Sequence, residues 1–172
     1  MTDTRTLRIK SPVDLIASVP LLLGFHPEES AVLITVGSAT DPFFARVDLP
    51  SGPDDVEAVV EDLCGVAGRQ GLRSVALVMF TDDDATARLV HDAFVDGLAT
   101  RAVDVQLALR ADGRRWFPLS GLRGDPDVGE EYDLATHPFT LEAMVEGRAV
   151  HESRAALGDS LLPTDPDEVE RV

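Results

Sequence analysis

Cysteine occurs once in 172 residues, at Cys64, so no disulfide can form within the chain. A lone thiol suits a reducing compartment, and the cytoplasm is the expected location. Lysine also occurs once, at Lys10, and asparagine not at all. The remaining side-chain cations are arginines, and the formal net charge is −16. Basic runs are missing, Arg114-Arg115 being the nearest approach. Duplex nucleic acid and an acidic membrane surface are therefore poor partners for this chain. Long apolar runs are missing too. The stretch Leu15 to Phe25 falls short of the roughly 20 residues that span a bilayer. It is broken by Pro20 and followed by no small-residue cleavage site, so it reads as neither anchor nor signal. No glycine-rich phosphate loop, G-x-S-x-G elbow or H-x-x-x-H pair occurs, and spacing alone assembles no Ser-His-Asp set.

What is present is an ordinary globular composition, 44% hydrophobic and 27% charged, in a chain long enough to bury a core. Thr6 to Lys10 reads as a short edge strand. Ser11 is then an N-cap, Pro12 the first helical residue and Asp14 the acid of a capping box. Leu15, Ile16, Val19, Leu22 and Leu23 form the apolar face of that helix. Pro20 should kink or split it, with Ser18 capping the second piece, and Gly24 should end it. Ala31 to Val36 is a continuous aliphatic strand, and Phe43 to Leu49 returns beside it as a hairpin.

Val56, Val59, Val60, Leu63, Val66 and Ala67 recur at the helical period and stop at Gly68 to Gly71. Ser74 to Phe80 is the clearest buried strand. A third helix follows Thr81-Asp82-Asp83-Asp84, with Leu89, Val90, Ala93, Phe94 and Leu98 turned inward. Ala102 to Arg110 alternates as a strand, Asp112-Gly113 is a hairpin turn and Arg114 to Leu119 the return. Ser120 to His137 is a long irregular loop. Pro138 opens a short helix that Gly147 stops, and Ser153 caps another. The expected fold is a three-layer α/β domain over residues 1–162, with a mixed sheet, parallel at its centre, and hairpins near both ends. Residues 163–172 read as an acidic, disordered tail.

Three places carry candidate chemistry. Asp82, Asp83 and Asp84 stand at the carboxyl end of the central strand, where open α/β sheets take ligands, and paired carboxylates there suit a divalent metal. The same acids equally suit the positive end of a helix. His26, Glu28, Glu29 and Ser30 make a polar turn whose spacing is poor for a metal. Arg114, Arg115 and Trp116, with Tyr132 and His137 in the loop beyond, form the strongest binding candidate. An arginine beside an aromatic can clamp a carboxylate or anchor a protein. Cys64 lies on an apolar helical face and reads as a buried, inert thiol.

Several stretches in order resemble an actinobacterial family of domains of unknown function, number 4192. They are Ser11 to Leu33, Ala45 to Pro50, Phe80-Thr81-Asp82-Asp83, Gly113 to Phe117, and Thr136-His137-Pro138 through Glu142, Gly147-Arg148 and Ser153 to Leu157. Many members carry cysteines after the Trp hairpin; Ser120 to Glu130 has none here. The resemblance implies a domain but no activity, cofactor or catalytic residue. The leading expectation is a cytoplasmic binding or protein-interaction domain without its own catalysis, with no cofactor, a protein partner or self-association, and a homodimer as one form. The alternatives are a metal-dependent hydrolase using Asp82 to Asp84, and a regulatory module binding an anionic metabolite near Arg114, Arg115 or Arg123.

Overall fold

The computed structural model describes residues 8–37 and 43–161. Among them are α1 (Pro12–Leu23), β1 (Ser30–Thr35), β2 (Phe44–Asp48), α2 (Val56–Arg69), β3 (Ser74–Phe80), α3 (Asp84–Ala99), β4 (Asp104–Ala111), β5 (Arg115–Ser120), β6 (Glu130–Glu131), α4 (Pro138–Val145) and α5 (Arg154–Ser160). The tail 163–172 lies outside the described residues, as do Thr6 and Leu7 of the expected first strand; its remaining residues, 8–10, carry no strand. The fold class is α/β, and the sheet is open and mixed. The chain divides into two compact units, residues 29–133 and residues 1–28 with 134–172.

The larger unit holds the whole sheet, in the order β2-β1-β3-β4-β5-β6. Strand β1 runs antiparallel to both β2 and β3. Only β3 and β4 pair in parallel, because α3 carries the chain back between them. Beyond them β5 and β6 return antiparallel. Val75, Leu77 and Met79 of β3 pack with Ala31 and Leu33 of β1, with Val60, Leu63 and Cys64 of α2, and with Val90, Phe94 and Leu98 of α3. The alternate residues Val32, Ile34, Ala76 and Val78 are buried as well, so the central strands are apolar on both faces, as their unbroken aliphatic runs require.

Helix ends follow local chemistry. After α2, Leu72 N–H bonds to Ala67 O and Gly71 N–H to Gly68 O, with Gly71 at φ 65°. The same paired bonds end α3, from Val103 to Leu98 and from Ala102 to Ala99. There the left-handed residue is Ala102, at φ 56°, where glycine would be unstrained. This turn delays the following strand to Asp104, two residues later than the alternation suggests.

The expected long loop is partly ordered by pairing. Beyond Ser120 the chain folds back so that Glu130 and Glu131 join β5 as a sixth strand. Gly121 makes this possible, since at φ 69° a Cβ would fall 2.0 Å from the Gln106 carbonyl oxygen. No spacing pattern in the sequence announces a contact of that kind.

In the smaller unit, α1 is one continuous helix across Pro20. Ser18 caps no second piece; its buried hydroxyl donates to Leu15 O at 2.7 Å. Ser11 caps α1 by accepting the Asp14 N–H, and Gly24 ends it at φ 81°. The expected capping box is altered: Asp14 Oδ2 accepts from Lys10 N–H.

Candidate functional site

At the carboxyl edge of β3 and β4, the larger unit gathers five polar residues. The Thr81 hydroxyl lies 3.0 and 2.9 Å from the two Glu29 carboxylate oxygens and donates to that group. It also accepts the Asp83 N–H at 3.1 Å. Glu29 sits at φ 42°, an unusual backbone conformation for a glutamate, held by Thr81 on its side chain and by Leu49 N–H on its carbonyl. Arg110, only 5% exposed, donates to Thr81 O and stacks its guanidinium 3.8 Å from the Phe117 ring centre. Its Nε lies 3.4 Å from Asp84 Oδ1, an ion pair without hydrogen-bond geometry.

The three aspartates do separate things. Asp83 is the N-cap of α3, accepting both the N–H and the hydroxyl of Thr86. The Thr86 hydroxyl, then backbone N–H groups, hold its carboxyl below the usual carboxylate value. Asp84 pairs with Arg88 one turn on and with Arg110. Asp82 is exposed. Among the described residues, no group of three or more His, Cys, Asp or Glu side chains is arranged to hold a metal ion.

The hairpin brings Arg114, Arg115, Trp116 and Tyr132 together, mostly as structure. Trp116 is 4% exposed. Arg115 donates to Val128 O and pairs with Glu131 at 2.9 Å. The Tyr132 hydroxyl accepts Gly113 N–H, and burial raises its pKa above 10.0 despite that bond. Arg114 is exposed. His137 is absent from this group; it belongs to the smaller unit.

There His137 is the N-cap of α4. Its Nδ1 accepts the Phe139 N–H at 3.1 Å, so the ring proton sits on Nε2, which donates to Asp14 Oδ1 at 2.8 Å. Both ring nitrogens are engaged, and no lone pair is left for base catalysis. For Asp14, burial pushes the carboxyl pKa up, but bonds from Lys10 N–H, His137 and Ser11 outweigh it and hold the group low. Helix α4 thus starts at a fixed point on α1. It buries Ala143 and leaves Leu141, Met144 and Val145 exposed.

Residues 12–172 match the family described as Domain of unknown function (DUF4192). The chain belongs to this family. It is also 30% identical, over 158 residues, to an isonitrile lipopeptide synthase of Streptomyces coeruleorubidus, a match covering 87% of this chain and 11% of that protein. The chain therefore spans about a tenth of that relative's length. No solved structure matches. In this DUF4192 domain several residues within the stretches that carry the family resemblance mark the ends of elements. Ser11, Asp83, His137 and Ser153 are N-caps, and Gly24 is a helix stop.

No helix among the described residues is long and apolar enough to cross a membrane.

Proposed function

We propose that this DUF4192 domain docks a protein partner through the exposed face of α4. One observation carries the reading: Leu141, Met144 and Val145 are 49, 64 and 88% exposed. Their spacing of three and four places them on one side of the helix. Contiguous apolar surface of this kind marks interaction sites more often than isolated exposed side chains do. The His137 cap and its bond to Asp14 fix the first turn of α4, so the face is presented by a rigid support.

Glu142 lies on the same helix, Glu146 is its C-cap, and the whole chain is strongly acidic. The occupant that fits is a protein with an apolar patch bordered by basic side chains; a second copy would bring like charge to the contact. In the Streptomyces synthase the related stretch is a small part of a far longer chain, a setting in which a docking element has other domains to meet. Arg115, already tied to Glu131 and Val128, gives an anionic metabolite less support than α4 gives a protein.

Photo-cross-linking in living cells tests this. A benzophenone amino acid at position 144 should give one dominant heterologous adduct, and the same probe at the exposed Leu89 of α3 should not. Equal yields at both positions, or an adduct only with a second copy, would contradict the reading.

A further inference from the structure

The fold assembles a set that spacing does not show. His91 lies on α3 and Ser120 ends β5, 29 residues away, and His91 Nε2 stands 2.9 Å from the Ser120 hydroxyl oxygen. The other ring nitrogen, Nδ1, is 3.0 Å from Asp92 Oδ1. An ionised carboxylate only accepts, so Nδ1 carries the ring proton and donates it to Asp92. In the neutral ring Nε2 then holds a lone pair, and Ser120 must be the donor. This is the tautomer a general base needs, the reverse of the arrangement at His137. The imidazole is only 11% exposed, so water competes little for it. Gly121, pressed against the Gln106 carbonyl, fixes the backbone just after the serine.

From this geometry we infer that Ser120 is a nucleophile activated by His91 and oriented through Asp92, acting on small, activated carboxylic esters. The inference goes beyond the docking reading and does not depend on it. Ser120 Oγ attacks the ester carbonyl carbon while its proton passes to His91 Nε2. The bond from carbonyl carbon to the alkoxy oxygen breaks, and the departing oxygen takes that proton. Water, deprotonated by the same nitrogen, then attacks the acyl-serine; its acyl–Oγ bond breaks, Ser120 regains a proton, and acid and alcohol are the products. The Asp92 carboxylate stands beside the ring, so a neutral ester fits better than an anionic one.

The test uses the full chain with two probes, a fluorophosphonate and p-nitrophenyl acetate. The fluorophosphonate should label Ser120, identified by peptide mass. Release of p-nitrophenol should fall at least about tenfold in Ser120→Ala and in His91→Gln, the low end for a lost general base. Ser120→Cys should retain burst acylation. If Ser120→Ala fails to fold, wild-type labelling and its loss in His91→Gln decide the matter. Labelling at another residue, no labelling, or a Ser120→Ala rate equal to wild type would overturn the inference.

Discussion

His137 and His91 are both imidazoles bonded to an aspartate, and the partner of the second nitrogen separates them. At His137 that partner is a backbone N–H, which makes the ring a cap; at His91 it is a hydroxyl, which leaves the ring a base. The sequence places His137 among binding residues because it cannot show a partner 123 positions away. The lowered carboxyl of Asp14 has a pH consequence. Its folded form binds a proton more weakly than the unfolded chain, whose ordinary value is 3.8, so its contribution is complete above that pH and is lost as pH falls below it through the folded value. Asp14→Asn should lower stability at neutral pH by about 1 kcal/mol and flatten the acid limb of a melting-temperature profile. Cys64 gives a second residue-scale prediction. It is fully buried, and desolvation first, with Glu61 adding and Arg101 opposing, pushes its thiol up to about 11. Ellman's reagent should leave it unmodified in the folded protein at pH 8 and titrate it fully in denaturant. Its burial was legible in advance, because it lies on an apolar helical face.

Among the elements, those with strong periodicity or aliphatic runs were the most legible. Ser74 to Phe80 is a strand over the expected residues, and the helix beginning at Val56 ends in the expected glycine segment. The end of α3 was not, because Ala102 occupies the left-handed position that Gly71 occupies after α2. Ala102→Gly should therefore raise stability by up to about 1 kcal/mol, read as a higher denaturant midpoint at unchanged slope. Gly121→Ala should do the opposite and cost at least about 2 kcal/mol, since its Cβ would meet backbone. The order in residues 121–131 rests on such close packing and on two ladder pairs, neither of which leaves a period in the sequence. Helix α4 was expected as a helix, but its apolar residues gave no sign of facing outward, because spacing groups side chains on one side of a helix without telling whether that side meets the core or solvent.

For the whole molecule, alternating strands and helices predicted an α/β fold with a mixed sheet, and that is what forms. The parallel pair of β3 and β4 is the expected parallel centre, whereas the order of the strands was beyond reach because it depends on which edges meet. The polar cluster of Glu29, Thr81, Asp84 and Arg110 was hidden for the same reason: Glu29 lies just before β1, Thr81 just after β3, Asp84 opens α3 and Arg110 is on β4. In the proposed docking the charge of −16 acts at this scale too, favouring a basic-rimmed partner and making association sensitive to salt. The central claim is that α4 carries the contact. Its most direct test is calorimetric: the affinity of the protein cross-linked at position 144 for the wild-type chain and for a Met144→Asp, Val145→Asp double variant. Binding should weaken by more than about tenfold with an unchanged melting temperature; equal affinity for both forms would contradict the account.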